Sequence, residues 1–262
     1  MLVIVNETYD TMSAEAARIV ADRLRKKPDL VLGLATGSTP LGLYRELIRL
    51  HKEEGLDFSK VTTFNLDEYV GLPPEHDQSF HYFMRENLFK HINVDPRFIH
   101  IPQGMAKDLS AFCDWYEQRI VDCGGVDIQI LGIGVNGHIA FNEPGSSLGS
   151  RTRIKTLTGT TRQDNARFFK NLDEVPKYAL TMGVGTIMDA KELLLLATNA
   201  SKAAAVRSAV EGPVTAMCPA SIIQMHRNAF VLLDKESAAE LTGTYNDTWE
   251  HKIFTSGNHP HG

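Results

Sequence analysis

Cysteine is scarce in this chain and long apolar runs are missing. The three cysteines, Cys113, Cys123 and Cys218, are odd in number and form no C-x-x-C pair. That favours reduced thiols in a cytosolic, cytoplasmic protein. No apolar run approaches the ~20 residues of a membrane span. Residues 1–10 lack the basic segment of a signal peptide, so neither export nor a membrane partner is expected. Positive charge is also in deficit: 27 Lys and Arg against 32 Asp and Glu leave a formal net charge of −5. Without a basic field, no nucleic-acid partner is expected, and any anion site has to be local. Internal repeats and low-complexity segments are absent.

What remains is an ordinary globular composition, 43% hydrophobic over 262 residues, enough for one large α/β domain or at most two small ones. Short apolar runs of strand type (residues 2–5, 30–35, 61–66, 126–131, 192–198 and 229–233) alternate with helix-periodic segments. The helices are expected after a cap at Ser13, over 41–53, 79–91 and 109–121, and over 202–210. Such alternation predicts a mostly parallel sheet covered on both faces. A single catalytic domain over residues 1–242 is expected, with a polar tail over 243–262.

The most informative stretch is VDIQILGIGVNGHIAFNEPGSS, residues 126–147. A strand ends in Gly132, Gly134 and Gly137, and the loop then presents Asn136, His138, Asn142 and Glu143 before Pro144. Loops at the carboxyl ends of strands are where α/β proteins bind ligands. The glycines spell G-x-G-x-x-G, but a dinucleotide site needs a helix opening at the third glycine and an acidic residue ~20 positions on. Here Pro144 and the basic SRTRIKT segment follow instead, which argues against NAD.

Two further strand ends carry signals for an anion. Residues 30–35 run into Thr36-Gly37-Ser38-Thr39-Pro40 and then a helix, with Thr39 expected at the cap and Pro40 at the first helical position. This turn places free amides and hydroxyls at the positive end of a helix dipole, an arrangement that binds phosphate. No Gly-Lys-Ser/Thr follows, so it is not a Walker A loop. Lys202 is expected in the first turn of a later helix, where a cation is disfavoured by ~0.3–1 kcal/mol unless an anion is bound. The strand over 61–66 presents Asp67, Glu68 and Tyr69, a carboxylate pair that could be chemical or merely a helix cap. Residues 148–178 show little apolar periodicity. Arg151, Arg153, Lys155, Arg162, Arg167 and Lys170 face only Asp164 over 151–170, which suggests an anion-gripping lid beside the glycine loop.

LGLATGSTP, TTFNLDEYVGL, GIGVNGHIAFNEPGSS, SRTRIKTLT, VPKYALTMGVGT and the Ser201-Lys202 helix start together resemble glucosamine-6-phosphate deaminases in order and spacing, over residues 1 to about 240. The resemblance implies a Rossmann-like three-layer α/β/α sandwich with a mostly parallel sheet and an inserted lid segment, about 148–178. It implies a hydrolase acting on a C–N bond, in amino-sugar catabolism: glucosamine 6-phosphate and water give fructose 6-phosphate and ammonia. A small-molecule sugar phosphate is the expected partner, and no cofactor or metal is implied.

By motif position, Asp67 matches the base that moves a proton between C2 and C1. His138 matches the residue that opens the sugar ring, with Asn136 and Glu143 as its supports. Thr36, Gly37, Ser38, Thr39, Arg167 and Lys202 match the phosphate pocket. Glu68, Gly132, Gly134, Gly137 and Ala140 match positions lining the sugar. Asn136 departs from relatives that carry aspartate there, which leaves Glu143 as the main anionic partner of His138. Ser146, Arg153 and Lys155 match an effector-site motif of allosteric hexameric relatives, but the C-terminal region differs. An unregulated enzyme is therefore expected, and monomer or homo-oligomer both stay open. The alternatives are a related sugar-phosphate isomerase or lactonase, sharing the phosphate turn, or a non-catalytic sugar-phosphate sensor, which should have lost Asp67 or His138.

Overall fold

The computed structural model describes residues 1–159, 162–163, 169 and 171–245. Ten strands alternate with helices among them. β1 (Leu2–Asn6) leads to α1 (Tyr9–Lys26), β2 (Val31–Leu34) to α2 (Leu41–Glu54), and β3 (Thr62–Asn65) directly to β4 (Asp67–Tyr69) and α3 (Phe80–Asn87). β5 (Ile99–His100), α4 (Leu109–Asp122) and β6 (Ile128–Gly132) follow. Then come β7 (Arg153–Thr156), β8 (Tyr178–Thr181), α5 (Val184–Met188), β9 (Glu192–Ala197), α6 (Ala203–Val210) and β10 (Ala229–Asp234).

Seven strands form one sheet in the order β1-β10-β9-β6-β2-β3-β5, with every pairing parallel. The central strands are apolar on both faces: Leu193, Leu194, Leu195 and Leu196 of β9 are all buried, as are Phe230 to Leu233 of β10. A strand buried on both sides has to be covered by helices on both sides. Right-handed crossovers fix which helix goes where. The chain runs one way across the sheet through α1 and α2, which pack against each other. It returns through α4 and α6, which that rule puts on the opposite face. The fold is thus the expected three-layer α/β/α sandwich.

The order of strands reverses beside β2. From β2 the chain steps outward to β3 and β5, then returns to β6 on the other side of β2. The loops after β2 and β6 therefore diverge and open a crevice at the carboxyl edge, where ligands of doubly wound sheets bind.

A second sheet goes beyond what the sequence shows. β4, β8 and β7 pair antiparallel in that order, so the Asp67-Glu68-Tyr69 stretch is a strand, and the basic SRTRIKT segment is an edge strand beside β8. Neither is read as a strand in the sequence, because strands this short carry too few residues to show a period. A separate apolar cluster of Tyr69, Phe141, Leu157 and Ala179, flanked by Leu72, Phe80 and Phe169, holds this sheet to the glycine loop.

Helix starts differ from expectation in an instructive way. α1 begins four residues before Ser13, capped by the Thr8 hydroxyl, which accepts from Thr11 N–H, while the Thr8 N–H donates in return to the Thr11 hydroxyl. Ser13 is buried mid-helix instead. α2 has Pro40, not Thr39, at the cap position, and the cap residue itself makes no side-chain hydrogen bond. The 79–91 helix is shorter, α3 followed by a 3₁₀ turn at Phe89–His91, and Lys202 sits in a 3₁₀ turn just before α6.

Candidate active site

Four loops reach the carboxyl edge around the crevice, after β2, β3, β6 and β9. The loop after β6 is built around His138. Its Nδ1 lies 2.7 Å from Asn136 Oδ1, and Asn136 Nδ2 donates to Glu143 Oε2 at 2.8 Å. The donor logic is closed: a carboxylate only accepts, so the Asn136 amide donates to Glu143 and turns its carbonyl oxygen to His138. Nδ1 must then carry the proton, which leaves Nε2 as the free acceptor of a neutral imidazole. Glu143, buried, lies 3.6 Å from Nδ1 through the same oxygen.

The glycines have separate reasons. A Cβ at Gly134 would sit 2.1 Å from the imidazole Cε1 of His138, so the ring packs directly over that backbone. Gly137 has φ +82°, and a Cβ there would meet Cys218 Sγ at 2.6 Å. Gly132 opens onto empty space. Ala140 turns the chain back at φ 50°, unusual for a residue with a Cβ. It sits within a tight turn closed by the Ile139–Asn142 bridge. Strain of this kind persists only where the surroundings enforce it. Here Asn142 Nδ2 donates to both Ile139 O and Met182 O. No helix opens after Gly137, which agrees with the argument against NAD.

β8 couples this loop to Asp67. Asp67 is the register partner of Thr181, and the Thr181 hydroxyl accepts from Phe141 N–H. Met182 N–H donates to Leu66 O, while Met182 O receives Asn142. The carboxylate after β3 and the imidazole after β6 are thus tied to the same two residues. Thr181 falls within VPKYALTMGVGT, but its role is not legible there because it depends on a strand pairing that no local pattern announces.

Asp67 is 7% exposed, and its pKa is pushed up to about 8, first by burial and then by the charge of Glu68. Glu68 itself is spent on structure: its oxygens accept from Tyr69 N, Phe80 N and His81 N, and from the His81 ring at 2.8 Å. It caps α3 across the turn, the bland alternative for this acidic pair, and in doing so rigidifies the backbone of Asp67.

In the turn after β2, Gly37 takes φ +99°. Among the described residues, the amides of Gly37, Ser38 and Thr39 and the hydroxyls of Thr36, Ser38 and Thr39 have no hydrogen-bond partner. On the other side of β6, in the turn after β9, the Thr198 hydroxyl and Asn199 N–H donate to Asp234 at the end of β10, fixing the turn that carries half-buried Lys202. With β6 between them, β2 and β9, the strands that carry these two turns, lie about 10 Å apart at the strand spacing.

The anion-gripping lid is corrected in part. Arg151 pairs with Glu117 and Asp189, and Glu117 also accepts from the hydroxyls of Thr152 and Thr186. Arg162 donates to the carbonyls of Leu172 and Val175. Both guanidiniums are consumed in holding the segment down. Arg167, like Lys170, lies outside the described residues. Lys155 reaches Ser146 at 3.5 Å, so that matched pair does come together.

The switch-point crevice, the free amide turn and the paired imidazole and carboxylate define an α/β protein built to act on a phosphorylated small molecule. The family described as Glucosamine-6-phosphate isomerases/6-phosphogluconolactonase matches residues 5–232, and the chain belongs to it. The glucosamine-6-phosphate deaminase of Thermoanaerobacter sp. (strain X514) is 50% identical over 91% of this chain and 94% of its own. That of Arthrobacter sp. (strain FB24) is 52% identical over 98% of this chain and 100% of its own. A solved structure of a monomeric glucosamine-6-phosphate deaminase superposes with TM-score 0.90 at 51% identity, covering 92% of this chain and 100% of that one. A 6-phosphogluconolactonase from Trypanosoma brucei shares the fold, with TM-score 0.72 at 22% identity over 92% of this chain and 98% of its own. No helix among the described residues is long and apolar enough to cross a membrane.

Proposed function

We propose that this enzyme converts glucosamine 6-phosphate and water to fructose 6-phosphate and ammonia, in the cytoplasm, as a single catalytic domain over residues 1–242. The reading is carried by identity near 50% to named deaminases over nearly the whole chain, together with the coupled Asp67 and His138 loops.

The substrate is mostly a closed ring. Opening it takes a proton from O1 and returns one to the ring oxygen. His138 Nε2, the free acceptor, takes the first and gives it back, while Asn136 and Glu143 hold the ring and steady its transient positive charge. The open aldehyde acidifies the C2 hydrogen. Asp67 removes it and delivers it to C1, so the C1–C2 enolamine becomes the 2-imine of the ketose. Water adds at C2 and the C–N bond breaks, releasing ammonia. Asp67 has to be ionised for this, and the C2 ammonium of the substrate is the charge that would lower its raised pKa on binding. The turn over Thr36 to Thr39, with Lys202 and Arg167, holds the remote phosphate so that C1 and C2 meet these groups, a positioning effect.

Purified protein is expected to release ammonia and fructose 6-phosphate from glucosamine 6-phosphate and to leave 6-phosphogluconolactone hydrolysis at its uncatalysed rate. The opposite preference would favour a lactonase, and neither activity would favour a sensor. Glu143→Gln removes the carboxylate beside the His138 ring. Its imidazolium is then less stabilised, and the pH profile of ring opening should move to lower pH. An unmoved profile would take Glu143 out of the ring-opening group. Asn136→Asp should change rate and profile only modestly.

A further inference from the structure

Tyr9 is the first residue of α1 and belongs to none of the motifs read in the sequence. Its hydroxyl lies 3.1 Å from both Ser38 O and Thr39 O, as their donor, and accepts the Gly42 N–H at 2.6 Å. Gly42 is the second residue of α2. Its amide is the kind that a Ser or Thr at the cap position would normally satisfy. The cap position here is Pro40, which has no such group, and no other side chain caps the helix. Tyr9 therefore does the work of the missing cap from another helix. Gly42 permits this, since a Cβ there would come 2.9 Å from the Tyr9 ring and 2.2 Å from Ser13 Oγ.

We propose that Tyr9 is the positioning residue of the phosphate turn, setting the direction of its amides without touching the ligand. In a trans peptide the carbonyl and the following N–H point opposite ways. With Ser38 O drawn towards the Tyr9 hydroxyl, the Thr39 N–H faces away from α1. The Ser38 carbonyl, also held by Leu41 N–H at 3.3 Å, cannot swing round to present its negative end to an anion. Because Tyr9 takes the Gly42 amide, the Thr36, Ser38 and Thr39 hydroxyls need not fold back on the helix and stay available.

The proposal rests on the reading of this turn as the phosphate site. Tyr9→Phe keeps the ring and removes only the hydroxyl. It is expected to raise KM for glucosamine 6-phosphate about tenfold, on the scale of one hydrogen bond, with kcat within twofold. Inhibition by inorganic phosphate should weaken by the same factor. A purely structural role would lower the melting temperature and leave KM and phosphate inhibition unchanged, and that result overturns the proposal. So does an equal fall in kcat with no change in KM. Titration of inorganic phosphate into wild type and Tyr9→Phe, followed by calorimetry, gives the same comparison without turnover. Tenfold weaker phosphate binding there supports the proposal even if wild type releases no ammonia. Equal binding by the two proteins defeats it even if the deaminase reading stands.

Discussion

Asp67→Asn should give a protein that is more stable and nearly inactive. The expected loss of ammonia release is about 10²–10⁴-fold, the usual contribution of a general base, because an amide cannot carry the C2 proton to C1. The stability gain follows from the raised pKa. In the unfolded chain Asp67 titrates near ~3.9; in the fold burial holds it up to about 8. Between those values the folded state keeps a proton that the unfolded state has released, so stability falls as pH rises through the window and the full cost is present above it. A tenfold difference in proton affinity is worth ~1.4 kcal/mol, so the substitution should stabilise by on the order of 2–5 kcal/mol at pH 9 and by nothing near pH 4. At roughly 2–4 °C per kcal/mol for a chain of this size, the melting temperature should rise by at least about 4 °C at pH 9. Thermal melts of both proteins across this range check it, and parallel curves would contradict it. In the wild type, the acidic limb of kcat/KM, which reports the free enzyme, should lie near pH 8. The limb of kcat should lie lower, once the substrate ammonium is in place.

His138→Gln should cost about 10²–10⁴ in kcat/KM, leaving turnover limited by unassisted ring opening. Gly134→Ala tests the geometry of the same group without touching it. Its Cβ would fall 2.1 Å from the imidazole, so the ring has to leave its place on Asn136 Oδ1, and a loss of at least about 10²-fold is expected. Phosphate inhibition should be unaffected in both variants, since the Thr36 to Thr39 turn follows a different strand. A fully active Gly134→Ala enzyme would show that the imidazole does not work from this position. Ammonia release at saturating and limiting substrate measures both.

The sequence by itself determined the parallel sheet, the three loops that carry chemistry, and the glycine loop with His138. Each of these is written in adjacent residues: a run of buried aliphatics, then glycines, then the polar group. Thr36 to Thr39 at a helix start and Asp67 after a strand were legible for the same reason. The tertiary structure decided what depends on partners distant in the chain. Glu68 and Arg151 look alike available on paper. One is consumed capping α3 and the other pairing with Glu117 and Asp189, because a charge is free or spent only according to what the fold packs beside it. The small antiparallel sheet, which ties Asp67 to the His138 loop through Thr181, exists only because residues 67–69 and 178–181 meet across more than a hundred positions. Tyr9 reaches the Ser38 turn only because α1 packs on α2. Local pattern records backbone preference and burial. Hydrogen bonds between elements far apart in the chain leave no period to read.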